Sequence, residues 1–438
     1  YQIEGAVNED GRCPSIWDTF SHTPGATFAG DTGDVATDSY HRWREDLALL
    51  NDLGVDAYRF SIAMPRIMPT PNGIPNAKGL DFYERIVDTL LEYGIKPVVT
   101  LYHWDLPQYL EDAGGWLNRV TSYALGDYAA VVAKRLGDRV DTWTTLNEPW
   151  CASYLSYGAK EQAPGLGLGP GAFPAVHHLN LAHGLMVQAV RGIVGDKSKY
   201  SVTLNMPFNR GDADACHRLD LIANRAFLDP MLRGRYPDEL FAITKGICDW
   251  SFIQPGDLEN AHQPIDVLGV NYYSTNRVAM SDRPQFPQET GPSTCPGASD
   301  IEWLPTDGPN TDMGWNIYPQ GLYDTLIRVH DRYPEVDLVI TENGMACRDQ
   351  LVVNEDGTKA VHDADRIDYL ERHFAAAKRA VVYGVPLSGY FVWSLLDNFE
   401  WYFVYAKRFG ITYVDYATQE RTKKDSFLWY RDFIASRG

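Results

Sequence analysis

The stretch Leu338-Val339-Ile340-Thr341-Glu342-Asn343-Gly344 ends an apolar run in a carboxylate, an amide and a glycine. A run of this kind reads as a parallel strand buried on both faces. A glutamate at its C-terminal end is costly to bury, so the position asks for a chemical reason. A second stretch, Thr142-Trp143-Thr144-Thr145-Leu146-Asn147-Glu148-Pro149, is β-branched and aromatic, and it also ends in a carboxylate. If both strands belong to one closed barrel, the two glutamates face each other across its mouth. Paired carboxylates across a cleft are the tools of glycoside hydrolysis.

Outward from these two strands the pattern repeats. Further strands are expected at residues 1–4, 56–61, 96–102, 200–205, 265–273 and 387–393. Helical periodicity, several times stopped by glycine, is expected over 40–52, 80–93, 123–136, 175–194, 213–227, 318–333, 365–383 and 424–435. Eight strands alternating with helices predict an α/β chain whose parallel sheet closes into a (β/α)8 TIM barrel. A doubly wound sheet is the runner-up, but it seldom reaches eight units and would want a phosphate-binding turn. Two long connections, 207–264 and 274–335, read as barrel loops that carry small elements of their own. Neither is polar or repetitive enough for a linker, so residues 1–438 are expected to form a single domain.

Composition narrows the function classes. Hydrophobic residues make up 45%, enough for a large core, and the net charge of −19 argues against a nucleic-acid partner. No apolar run approaches the ~18 residues of a membrane span, so no membrane partner is expected. The 12 Trp and 26 Tyr suit sugar-stacking surfaces and a large core about equally. Cys13, Cys151, Cys216, Cys248, Cys295 and Cys347 are scattered without a C-x-x-C pair. They read as reduced thiols in a cytoplasmic enzyme rather than as a disulfide framework or a zinc site. The chain starts at Tyr1 without an initiator Met, which leaves a removed signal peptide open.

In a (β/α)8 barrel the active site lies at the C-terminal ends of the strands. Those ends read Gln2, Arg59, His103-Trp104, Asn147-Glu148, Asn205, Asn271 with Tyr273, Glu342 and Trp393. This is a ring of carboxylates, amides, one imidazole and aromatic rings, suited to hydroxyl groups and the C–H face of a sugar. No cluster of metal ligands or phosphate cradle is visible in it, so neither metal nor organic cofactor is expected.

Six motifs then occur in order. They are YQIEGA (1–6), YHWDLP (102–107), TLNEP (145–149), GVNYYS (269–274), TENG (341–344) and WSLLDNFEW (393–401). Together they resemble glycoside hydrolase family one, whose commonest members are β-glucosidases. The resemblance implies Glu342 as nucleophile, held ionised by Arg59 and Tyr273, and Glu148 as acid/base. It implies that Asn147 binds the sugar 2-hydroxyl. Gln2, His103, Trp393, Glu400 and Trp401 would bind the remaining hydroxyls and the ring face, and Phe409 would pack at the far end. Trp104 and Asn271 are counted with these substrate-binding residues. Trp150, Trp315 and Asn205 would line the leaving-group side, with packing anchors as the competing reading of the two tryptophans. The family pattern has a further stretch ahead of Tyr1, so the chain is expected to open inside its first strand.

The resulting expectation is a retaining β-glycosidase that releases terminal non-reducing β-D-glucosyl residues from cello-oligosaccharides or aryl and alkyl β-glucosides. A small carbohydrate is its partner, and its oligomeric state stays open. The alternatives are β-galactosidase or β-fucosidase activity within the same family, or a non-catalytic sugar-binding barrel. A non-catalytic barrel is expected to lack one of the two glutamates, and a thioglucosidase to carry Gln in place of Glu148.

Overall fold

Seven strands, β1 (Ala57–Ser61), β2 (Lys96–Tyr102), β3 (Thr142–Asn147), β4 (Lys199–Asn205), β5 (Val267–Asn271), β6 (Asp337–Asn343) and β7 (Leu387–Val392), form one sheet in the computed structural model, which describes residues 1–282 and 291–437. Each strand pairs with the next in parallel, with registers such as Ala57 to Lys96, Asn205 to Asn271 and Asn271 to Glu342. Helices fill the crossovers, among them Ala77–Glu92, Val120–Leu136, Phe173–Val194, Pro319–Arg332 and Ala364–Tyr383. Parallel neighbours joined by helices in strict chain order wind the sheet into a barrel.

Local sequence explains the elements. In Ala77–Glu92 the buried Leu80, Tyr83, Val87 and Leu90 recur every three or four residues, so one apolar stripe faces the sheet. The helix stops where Gly94 takes a left-handed φ of 73°. In β2 only Lys96 is exposed, as expected of a strand covered on both faces.

Two expectations are corrected. Residues 1–4 form no strand ladder. Their carbonyls are spent on loops: Gln2 accepts from Phe399 N–H, Ile3 from Thr37 and Ser39, and Glu4 from Tyr40. The ladder therefore ends at β7 on one side and β1 on the other among the described residues. A cavity of about 700 Å³ runs from the mouth, beside Gln2, Arg59, His103 and Trp393, down the barrel interior to the gap between those two strands. The helix expected over 213–227 is broken into Ala213–Leu219, a wide π-type turn at Asp220–Arg225, and Ala226–Arg233. The long connections carry small elements of their own, as expected. Phe208–Gly211, Thr275–Met280 and Ile301–Leu304 build a separate three-stranded sheet. Residues 283–290 of the second connection lie outside the described residues. Among the described residues no helix is long and apolar enough to cross a membrane.

Candidate active site

β3 and β6 each end in a polar residue pair at the same mouth. Glu342 is the penultimate residue of β6, and Arg59 Nη1 on β1 donates to its Oε1 at 2.8 Å. Tyr273 Oη donates to its Oε2 at 2.7 Å. Burial, and then the charge of Glu342, push the Tyr273 phenol well above the ordinary range, so it keeps the proton it donates.

The second terminal nitrogen of Arg59, Nη2, lies 2.6 Å from Asn147 Oδ1. A guanidinium has only protons to give, so this contact fixes the orientation of the Asn147 amide. Asn147 Nδ2 then faces His103 Nε2 at 3.1 Å, which makes that ring nitrogen an acceptor. Burial, and then Arg59, hold the His103 pKa well below its usual value, so the ring is neutral with its proton on Nδ1. Asn271 Nδ2 reaches both Asn147 Oδ1, at 3.2 Å, and Glu148 Oε1, at 2.6 Å. Thr341 Oγ1 donates to the other end of the same amide at 2.7 Å.

Glu148 follows the last residue of β3 and is 7% exposed. Its φ of 47° lies in the left-handed region, as do those of Trp104 (77°) and Trp401 (48°). Strained backbone of this kind persists where the surroundings over-determine it, and it gathers at functional sites. Burial, and then the charge of Glu342, push the Glu148 carboxyl up to about 7, against the hydrogen bonds of Asn271 and Cys151. A third carboxyl, Glu400, is pushed up to about 8 by burial and then by Glu342 and Glu148. Trp393 gives it a side-chain hydrogen bond, while Glu400 Oε2 is sealed from solvent with no partner among the described residues. Of these three acids, Glu148 and Glu400 are thus raised toward the neutral form, while Glu342 rests on its two donors.

Aromatic rings wall this group. His103 stacks near Trp393 and Trp401 at centroid distances of 6.1 and 5.7 Å. Trp315 and Phe409 lie 5.4 and 5.9 Å from Tyr273. Trp315 is only partly buried, unlike Phe409. Trp150 packs at 6.4 Å on Tyr154, and its buried Nε1 has no partner among the described residues. Asn205 ends β4 beside Asn271. Gln2 lies against the loop after β7, where its Nε2 donates to Asn398 Oδ1 and the Phe399 carbonyl. Trp104 uses its indole N–H on the Asn147 carbonyl at 2.8 Å and packs its ring on Trp401 at 4.5 Å.

Four participants were absent from the sequence-based set. Thr341 orients Asn271 and Asn398 holds Gln2. Asp312 occupies Lys407, and Cys151 sits on Glu148. Thr341 and Asn398 lie inside the motifs at 341–344 and 393–401, whereas the Cys151 contact depends on the turn after Glu148.

The chain matches the model of glycosyl hydrolase family 1 over residues 1–438. It is similar to a bifunctional β-D-glucosidase/β-D-fucosidase of Bifidobacterium breve, at 69% identity over 99% of this chain and 95% of that protein. It is 44% identical to β-glucosidase A of Thermotoga maritima over 100% of this chain and 95% of that one. Among solved structures it resembles the T. maritima β-glucosidase in complex with deoxynojirimycin, with a TM-score of 0.91 at 44% identity over 100% and 96% of the two chains. It also resembles a psychrophilic β-glucosidase of Micrococcus antarcticus, with a TM-score of 0.92 at 46% identity over 99% and 94%.

Proposed function

Because the chain belongs to glycosyl hydrolase family 1, we propose that it is a retaining β-glycosidase acting on terminal non-reducing β-D-glucosyl residues of cello-oligosaccharides and aryl or alkyl β-glucosides. The observation that carries the reading is the linkage of its two glutamates. Arg59 spans Glu342 and Asn147, and Asn271 spans Asn147 and Glu148. The pair is thereby held in one compact unit with unequal surroundings, the arrangement that separates a nucleophile from an acid.

Glu342, held by Arg59 and Tyr273, attacks the anomeric carbon. Glu148, raised to about 7 and so still partly protonated near neutrality, gives its proton to the leaving oxygen as the glycosidic bond breaks. Esterifying Glu342 removes the charge that helped raise Glu148, so its pKa falls and it can deprotonate the incoming water. Asn147 is placed for the 2-hydroxyl, and Gln2, His103, Trp393, Glu400 and Trp401 for the rest of the sugar. Phe409 closes the far end, while Trp150, Trp315 and Asn205 border the leaving group. Trp104 and Asn271 support Asn147 and Glu148.

The 69% identical relative, named for two activities, favours β-fucosides as a second substrate class. We further read residues 1–438 as one catalytic domain, on the strength of its single main sheet, and place the enzyme in the cytoplasm on its unpatterned cysteines. The deciding assay is a panel of nitrophenyl β-glycosides with wild type and Glu342→Ala. Wild type is expected to favour the glucoside and to accept the fucoside. The variant is expected to lose hydrolysis and, with added azide, to form the inverted glycosyl azide. Ordinary hydrolysis by Glu342→Ala would remove Glu342 from its role.

A further inference from the structure

Glu148 is followed three residues later by Cys151, and the turn between them lays a thiol on the carboxyl. Cys151 N–H donates to the Glu148 carbonyl at 2.9 Å, and Cys151 Sγ lies 3.1 Å from Glu148 Oε2. The thiol is 5% exposed, and it takes no part in the mechanism above.

The neighbouring hydrogen bonds determine which oxygen of Glu148 carries its proton. Arg59 Nη2 obliges Asn147 to present Oδ1. That oxygen is also 3.2 Å from the Asn271 amide, so Asn271 must present Nδ2 there. A flipped Asn271 would set its oxygen against both Asn147 Oδ1 and Glu148 Oε1. Asn271 therefore donates to Oε1 in either charge state of Glu148. An oxygen held by a donor at 2.6 Å is the carbonyl oxygen of the neutral acid. The transferable proton is left on Oε2, against Cys151.

We propose that Cys151 is a positioning residue for the acid/base step: Asn271 leaves the proton of Glu148 on Oε2, and the Cys151 thiol exchanges hydrogen-bond roles with that oxygen through the cycle. The inference rests on the glycosidase reading of Glu148. A thiol is a weak donor and a weak acceptor, so it can serve both states of Oε2 with little bias. In the resting enzyme the sulfur accepts from Oε2–H. When that proton passes to the leaving oxygen and the C–O bond breaks, Oε2 becomes anionic and the S–H turns to it. When water attacks the glycosyl ester, its proton goes to Oε2 and the starting arrangement returns. The thiol itself stays protonated, because burial and then the charge of Glu148 push its pKa far up. An alcohol here would favour the carboxylate more strongly, and an alkyl group would not support it at all.

Other ionisable groups also face this carboxyl. Glu342 and Arg59 act on it directly, Glu400 and Tyr273 feel its charge, and Glu161 acts on the thiol. His103 lies one hydrogen bond beyond Asn147 and is neutral. None of these changes in a Cys151 variant, so a displaced limb reports the thiol.

The test is the pH profile of kcat/KM on nitrophenyl β-glucoside for wild type, Cys151→Ser, Cys151→Val and Glu148→Gln. The alkaline limb is expected lowest in the Ser variant, intermediate in wild type and highest in the Val variant. Each step should span about half a unit to one unit, or roughly 3–10-fold in rate on the limb. An unmoved limb, or a shift in the same direction for Ser and Val, would overturn the proposal and leave Cys151 as filler. If the Val variant does not fold, the Ser variant alone decides by whether its limb falls. A wild type that hydrolyses no β-glycoside would bring down the functional reading and this inference with it. Hydrolysis whose limb disappears in Glu148→Gln but ignores Cys151 brings down the inference alone.

Discussion

Tyr273 and Arg59 hold Glu342 by different means, a phenol that keeps its proton and a guanidinium that also fixes Asn147. A hydrogen bond to a charged group contributes about 1.5–3 kcal/mol, so removing the phenol should lower kcat/KM roughly 10–100-fold. Tyr273→Phe is expected to do this with an unchanged circular-dichroism melt, because the lost atom faces the carboxylate rather than the core. A melt lowered in step with activity would make Tyr273 a structural residue instead. Arg59→Lys is expected to cost more, since one ammonium cannot hold Glu342 and Asn147 together. Loss of the Asn147 orientation then frees Asn271, so the alkaline limb should move in Arg59→Lys and stay in Tyr273→Phe. The residue scale is also where sequence reading was weakest. Trp104 follows a strand end and Trp401 lies in the loop after β7, yet the sequence could not disclose that the Trp104 N–H is spent on a carbonyl. The Cys151–Glu148 contact depends on a turn geometry that a strand-end pattern does not contain.

Among the elements, the strands were the most legible, because an apolar run closed by a polar residue has one reading in a sheet covered by helices. β2 and β3 fall at residues 96–102 and 142–147, where the sequence placed them. The side sheet was not legible. Thr275–Met280 carries arginine and asparagine, and it is stabilised by partners distant in sequence. Loops set the remaining specificity. Trp315 sits on one of them, against Tyr273 and Phe409. Trp315→Ala should raise KM for cellobiose and aryl glucosides about 10-fold while leaving inhibition by free glucose analogues nearly unchanged. Equal losses on both would make it a packing anchor. The loop after β7 bears on charge selectivity. Lys407 Nζ is held by Asp312 Oδ2 at 3.0 Å, so it is not free to meet a phosphate. Glu400 is neutral below about pH 8, so repulsion of a 6-phosphate grows only as it ionises. The ratio of kcat/KM for nitrophenyl β-glucoside over its 6-phosphate should exceed unity at pH 7 and rise further by pH 9. A preference for the phosphorylated compound would exclude this account of the loop.

The molecule as a whole stores protons in its barrel, and that sets how its stability depends on pH. Burial raises Asp105 to about 6, and burial with like charge raises Glu148 to about 7 and Glu400 to about 8. In the unfolded chain these acids ionise near pH 4. Each therefore contributes stability that is full below pH 4 and is lost as pH rises through its folded value. Buried histidines act in the opposite sense. His183 and His373 are lowered to about 3 and His178 to about 4 by burial, so their contribution is full above pH 6.5 and is lost toward acid. The partly exposed Glu84, lowered to about 2 first by Arg135, is ionised in both states across this range. Stability should pass through a maximum between about pH 5 and 7 and fall on both sides. The alkaline fall belongs chiefly to the barrel mouth, so the site costs the fold part of its stability at the pH where the proposed mechanism uses Glu148 as an acid. Glu400→Gln removes one ionisable group from that mouth while keeping its size. At pH 5.5 the variant and wild type should melt together. At pH 9 the variant should melt higher by a few °C, since a shift of this size is on the order of a few kcal/mol and a chain of this length moves roughly 1 °C per kcal/mol. Calorimetric scans of the ligand-free proteins at both values decide it. A gap that is constant with pH would mean that Glu400 acts through packing rather than through its proton.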